Sequence, residues 1–129
     1  MDNRQITTLF DTWNSALKTG DPKKVVSLYE SNAVLLPTVS NNVCHTHAEI
    51  EDYFANFLTK GPVGIIDESH IRTYGNVSIN SGIYTISFKD GTSIQARFTY
   101  VYRWNGQRWM IIEHHSSKMP EQLETIDDD

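Results

Sequence analysis

His114 and His115 are the most suggestive pair in a chain of 129 residues that holds five histidines and one cysteine. They sit next to each other in a run rich in β-branched and aromatic residues, and neighbours on a strand point to opposite faces. One site cannot easily use both. His114 is read either as a base or ligand donor inside the molecule, or as a core histidine hydrogen-bonded to a tyrosine or carboxylate. His45 and His47 are two apart, a spacing that shares a face on a strand, but no Cys or carboxylate pattern completes a metal set around them. Asp52, Asp67 and Glu68 are the candidate acids. Proton transfer in an apolar cavity pairs such a carboxylate with a tyrosine donor, and Tyr84 and Tyr100 suit that role. None of the acids falls at an obviously inward strand position, Asp67 coming nearest. No catalytic residue, metal or cofactor is therefore assigned. Cys44 lies in a short apolar context with no positive neighbour in sequence, the setting of an inert buried thiol.

The element that must position His114 is a long hairpin over Ile94–Ser117, turning at Asn105-Gly106. Both turn residues accept positive φ, which makes this the clearest hairpin signal in the chain. Phe98, Tyr100, Tyr102 and Trp104 share one face of its first strand. Arg97, Thr99, Val101 and Arg103 share the other. The expected register sets the aromatic face against Met110, Ile112, His114 and Ser116, giving an apolar lining that turns polar at His114 and Ser116. Arg97 then has two uses. It can bind an anion within the fold, or pair with Glu113 across the hairpin on the outer face. The second fits this register and is preferred.

The other elements follow in chain order. Residues 3–19 form an amphipathic helix with Ile6, Leu9, Phe10, Trp13, Ala16 and Leu17 on one stripe, capped by Asp2 or Asn3 and ended by Gly20. Asp21-Pro22 starts a short second helix. Ala33–Leu36 is a short buried strand stopped by Pro37, a polar loop runs from Thr38 to Asn42, and Val43–His45 is a brief strand. Thr46 with Glu49 caps a third helix that runs to about Thr59, where Lys60-Gly61-Pro62 breaks it. Val63–Tyr74 and Ser78–Phe88 are long strands, and Gly82 marks a bulge or bend in the second. The order is helix, helix, short strand, helix, then four antiparallel strands. This is an α+β fold with three N-terminal helices packed on one face of a curved antiparallel sheet, a cone with a cavity for a small ligand.

Composition narrows the functions. The formal net charge is −5 with no basic block, which argues against nucleic acid and anionic membrane as partners. One cysteine allows no intrachain disulfide and suits a reducing compartment. No apolar leader and no membrane-length run is present, so the expected location is cytoplasmic. One domain is expected over 1–120, with an acidic, flexible tail over 121–129.

Several segments together resemble one family. They are Asn14–Asp21 (NSALKTGD), Tyr53–Leu58 (YFANFL), and Gly106 with Trp109 followed by Ile112, His114, His115, Ser116 and Ser117. Spanning roughly residues 3–120, they resemble the association (hub) domain of Ca2+/calmodulin-dependent protein kinase II. That family lies within the cone-shaped nuclear transport factor 2-like superfamily, close to its SnoaL-like group. Leu36-Pro37-Thr38 and Ala96-Arg97-Phe98 are closer to the stand-alone bacterial and algal members. No kinase motif is present: no glycine-rich loop, V-A-I-K, H-R-D or D-F-G. The resemblance implies self-association into dimers or rings of dimers, and calmodulin binding by family alone. It also implies a pocket for a small carboxylate, lined by arginines in the animal domain. Rough alignment sets Tyr84, Tyr100 and Ser116 near those arginine positions, so Arg72 or Arg97 would have to reach in. The expected pocket is Tyr84, Phe98, Tyr100, His114, Ser116 and Arg72, for a small carboxylate or aromatic ligand. The expected interface is Arg97, Thr99, Val101, Glu113 and His115. The alternatives are a SnoaL-like binder or isomerase acting on an apolar or aromatic substrate, and a module that recruits another protein.

Overall fold

The computed structural model describes residues 3–38 and 40–121. Asp2, one of two candidate caps for the first helix, and the tail from residue 122 onward lie outside the described residues. Helix α1 (Asn3–Lys18) buries Ile6, Phe10, Trp13 and Leu17. Their spacing of four, three and four is the apolar stripe read from the sequence. Helix α2 (Pro22–Val26) is capped by Asp21, whose Oδ1 accepts from Lys23 N at 3.0 Å. Helix α3 (His47–Phe57) starts at Thr46, whose Oγ1 accepts from Glu49 N at 3.1 Å. Glu49 returns a bond to the N–H of His45, one residue before the cap. Such caps are each worth about 1 kcal/mol. A 3-10 turn (Leu58–Lys60) carries α3 to Gly61.

Five strands form one sheet in the order β1-β5-β4-β3-β2. They are β1 (Tyr29–Leu36), β2 (Val63–Tyr74), β3 (Val77–Ser87), β4 (Ser93–Trp104) and β5 (Trp109–Lys118). The last four are antiparallel to one another, as expected. Strand β1 is twice the expected length and lies parallel to β5, so the sheet is mixed. The brief strand expected at Val43–His45 reduces to one bridge between Cys44 and Leu35.

Two bulges among the antiparallel strands shape this sheet. In β2, Asp67 is an extra residue between Ile66, opposite Tyr84, and Glu68, opposite Ile83. Gly82 lies beside that bulge rather than forming one. A Cβ on Gly82 would sit 2.0 Å from the Glu68 carbonyl oxygen, so only glycine lets β3 pass so close to the bulged strand. The second bulge, at Ile112, corrects the expected hairpin register. Tyr100 meets His114 and Phe98 meets Ser116 as expected, but Tyr102 meets Ile111 and Trp104 meets Trp109. Beyond the bulge, Trp109 and Ile111 rather than Met110 and Ile112 stand against the aromatic face.

The helices cover the inner face of the sheet, where Tyr84, Ile86, Ala96, Phe98, Tyr100, Tyr102, His114 and Ser116 are buried. Asn14 ties α1 to edge strand β2. Its Nδ2 donates to Gly64 O, and Gly64 N–H donates to its Oδ1, both at 2.9 Å. The side chain thus acts as a short stretch of neighbouring strand at an edge that otherwise has none. On the opposite face, Arg103 holds Glu30 of β1 through two hydrogen bonds that reach across β5.

Because Gly82 has no room for a methyl group against rigid backbone, Gly82→Ala is expected to cost at least about 2 kcal/mol of stability. Urea unfolding checks this, and a loss under 0.5 kcal/mol would mean that the bulge relaxes freely.

Candidate functional site

The cone interior is built from side chains that four elements and one loop send inward. Trp13 (α1), Tyr29 (β1), Tyr84 (β3), His114 and Ser116 (β5) and Thr38 after β1 form one chain of hydrogen bonds. Trp13 Nε1 donates to Tyr29 Oη at 3.1 Å. Tyr29 Oη lies 2.8 Å from His114 Nδ1, and Tyr84 Oη lies 3.2 Å from His114 Nε2. Tyr84 donates to Ser116 Oγ at 2.7 Å, and Ser116 meets Thr38 Oγ1.

Counting protons gives this chain a direction. Tyr29 already accepts from Trp13, so its own hydrogen goes to His114 Nδ1. His114 is then neutral with its proton on Nε2, which donates to Tyr84. Tyr84 passes its hydrogen to Ser116, and Ser116 passes its own to Thr38. Burial makes every member a neutral donor. It pushes the pKa of His114 down to about 3, with neighbouring His115 adding to the effect. Burial also raises the phenols of Tyr29, Tyr84 and Tyr100. The Tyr100 ring stacks on His114 with centroids 4.1 Å apart, and Trp13 meets the imidazole edge-on at 5.6 Å.

These rings nearly fill the cone. The space left beside Trp13, Tyr84, His114 and Ser116 is about 20 Å³, room for one water molecule. Pockets for drug-sized ligands run to roughly 300–1,000 Å³. The expected pocket residues Tyr84, Phe98, Tyr100, His114 and Ser116 do converge on the inner face, but as a packed core. Sequence reasoning missed Trp13, Tyr29 and Thr38 as members. A buried tryptophan and tyrosine each need a hydrogen-bond partner, and that need was the available signal.

Arg72 must be removed from the expected pocket. It is exposed, and its Nη2 donates to Ser81 Oγ at 2.9 Å. Arg97 is exposed on the outer sheet face, so neither arginine reaches the interior. Nor do Arg97 and Glu113 pair across the hairpin, since Arg97 stands opposite Ser117 and Glu113 opposite Val101. None of the candidate acids enters the cone. Asp67 accepts from Thr85 Oγ1 at 2.6 Å and from Gln95, Glu68 pairs with His70 at 2.7 Å, and Asp52 lines an open groove beside α3. His47 Nε2 donates to the carbonyls of Tyr29 and Glu30, fixing α3 on β1, whereas His45 faces solvent beside Glu49. Among the described residues no three of His, Cys, Asp and Glu gather closely enough to hold a metal ion. Cys44 is buried, and burial followed by Glu49 raises its thiol, which keeps it protonated.

The outer sheet face has a different chemistry. Arg97, Thr99, His115, Ser117 and Ser81 line an open groove of about 510 Å³. Half-buried Ile79, Ile83 and Val101 lie on the same face. Among the described residues no helix is long and apolar enough to cross a membrane.

The buried imidazole makes stability depend on pH. An unfolded histidine titrates near 6.5, so below that pH the unfolded chain takes up a proton that folded His114 refuses down to about pH 3. The stability that His114 contributes is therefore complete above pH 6.5. It falls by roughly 1.4 kcal/mol per unit as the pH drops toward 3. His114→Phe keeps the stack but strands Tyr29 and Tyr84, at a cost of about 2–4 kcal/mol at pH 7. That gap is expected to narrow by about 2 kcal/mol at pH 5 in urea unfolding, and a constant gap would show that His114 is not held neutral.

A family model for the calcium/calmodulin dependent protein kinase II association domain matches residues 2–120. A solved structure from Xanthomonas campestris, described provisionally as such a domain, is 46% identical, with a TM-score of 0.91 over 95% of this chain and 91% of that one. A nuclear transport factor 2-like protein with a cystatin-like fold from Novosphingobium aromaticivorans has a TM-score of 0.77 at 12% identity, covering 94% of this chain and 84% of that one. A protein from Streptomyces avermitilis, described provisionally as a dehydratase of the nuclear transport factor 2-like family, has a TM-score of 0.77 at 15% identity, covering 92% and 96%. At such identities the last two share the fold alone. No curated protein matches the chain. With helices on a curved sheet in the nuclear transport factor 2-like arrangement, and with a family match over nearly all of its length, the chain belongs to the calcium/calmodulin dependent protein kinase II association domain family.

Proposed function

We propose that this protein is a non-catalytic, self-associating domain whose contact surface is the outer face of its sheet. The observation that carries the reading is how the two sheet faces differ. The inner face is closed by aromatic rings that leave about 20 Å³. The outer face leaves Ile79, Ile83, Thr99 and Val101 half-buried beside exposed Arg97, Glu113 and His115. Apolar surface mixed with charges of both signs suits contact with a second copy.

Arg97 and Glu113 favour an isologous pairing. They lie on opposite sides of the Thr99–His115 pair, about 13 Å apart along the strands and too far to meet within one chain. A two-fold axis between facing sheets, above Thr99 and His115, brings Arg97 of each copy over Glu113 of the other. A patch must be self-complementary in this way to form a closed dimer. Rings of dimers would need a further contact from the helix edges. The rival reading, a SnoaL-like binder or isomerase for an apolar or aromatic substrate, finds little volume in the cone and no carboxylate there among the described residues. A small carboxylate would meet no cation beside His114.

Native mass spectrometry over a dilution series tests the reading. A discrete even-numbered oligomer that persists at micromolar concentration is expected, and a monomer throughout would overturn it. Arg97→Glu and Glu113→Arg are each expected to weaken the dimer at least about tenfold, or 1.4 kcal/mol, and the double reversal is expected to restore it. An oligomer indifferent to all three variants would move the contact away from this face.

A further inference from the structure

Asn80 faces inward from the middle of β3, between Ile71 on β2 and Tyr100 on β4, and is 1% exposed. Neither its Oδ1 nor its Nδ2 has a hydrogen-bond partner. Ser78, two residues away and equally buried, bonds to Thr73 and to the Arg72 carbonyl. A carboxamide can give two hydrogen bonds and take two, and a buried one that makes none is costly unless something outside the chain supplies them. A cleft of about 280 Å³ lies between α1 and β2, and Asn80 lines it. Thr7, Asp11 and Asn14 wall it on the helix side, and Ile66 and Ser69 on the strand side. The bulge at Asp67 falls between those two strand residues, so the strand bends where the cleft opens. The paired hydrogen bonds between Asn14 and Gly64 hold one end of the cleft in place.

The lining selects a ligand class. Among the described residues that line it, Asp11 carries the one ionisable side chain and none is cationic. A carboxylate would have no counter-charge, would meet Asp11, and could give Asn80 Oδ1 no hydrogen. A group with donor and acceptor side by side, as in a carboxamide, urea, lactam or imide, matches both ends of the Asn80 amide once that buried side chain turns toward the cleft. A volume just under the usual range for ligand pockets suits a fragment-sized molecule. We infer that the cleft between α1 and β2 binds a small neutral ligand through an amide-like donor–acceptor pair read by Asn80. The site is separate from the cone interior and does not depend on self-association.

The test titrates the isotope-labelled full chain with acetamide and N-methylurea, with acetate as control, and follows backbone and side-chain amide resonances. Saturable shifts are expected at the Asn80 side chain and along residues 7–14 with both amides, and binding at least tenfold weaker with acetate. Asn80→Leu is expected to abolish the response. Ser69→Tyr, at an exposed position on the rim, is expected to weaken it at least tenfold by filling the mouth, with the rest of the spectrum unchanged. Overturning results are amides that give no saturable shift, acetate that binds as well, or variants that bind like the wild type. A crystal soaked in acetamide that shows only ordered water on Asn80 would overturn it too.

Discussion

A neutral imidazole sealed among aromatic rings must satisfy both of its nitrogens, and much of this fold is arranged around that need. His114 accepts from Tyr29 on β1 and donates to Tyr84 on β3. Trp13 fixes the proton of Tyr29 from α1, while Ser116 and Thr38 receive that of Tyr84. Every partner sits on a different element or on a loop. Losing one link strands a buried donor or acceptor, at a cost of about 1–3 kcal/mol. The chain of bonds therefore specifies how helix, edge strand and hairpin must meet, where stacked rings alone would tolerate sliding. It also suits the place of β1 beside β5, where Leu35 pairs with His114 and Tyr29 Oη reaches its Nδ1.

Filling the cone with neutral groups sends the charges elsewhere. Arg72, Arg97, Glu68, Glu113 and Asp67 are all exposed, because an ionised side chain inside would need a buried counter-ion and would lose its hydration. Where the family resemblance sets arginines around a carboxylate, this chain has Tyr84, Tyr100 and Ser116. Tyr84 and Ser116 bond to each other, and Tyr100 stacks on His114. With these side chains packed together, the inner face leaves about 20 Å³. The proposed contact lies instead on the sheet face that the helices do not cover.

Local signals were legible in the sequence. The apolar stripe of α1, the caps at Asp21 and Thr46, the extent of β2 and the turn at Asn105 each rest on contacts within a few residues. The parallel pairing of β1 was not legible, because its partner lies about eighty positions away and a lone apolar run carries no address. The outward placement of Arg97 was legible from strand parity. The exposure of Arg72 follows from the same parity, but the family resemblance, with its arginine-lined pocket, pointed the other way. The orphaned amide of Asn80 had no signature at all, since a single Asn in a strand also suits an outward position.

The bulge at Ile112 decides which residues of the apolar run Trp109–Ile112 face the core. On the inner face of β5 stand Trp109 and Ile111 at odd positions, then His114 and Ser116 at even ones. A regular strand can bury one parity only. Without an extra residue it would expose either Trp109 and Ile111 or the hydrogen-bonding pair that closes the cone. Inserting Ile112 lets both pairs face inward, and the same insertion turns Glu113 and His115 outward. Glu113 thereby shares a face with Arg97 and Thr99, although Trp109 and Ile111 on the same strand face the core. One unpaired residue thus completes the aromatic core and also assembles the charged outer surface, so core closure and any contact made by that surface are set by the same irregularity.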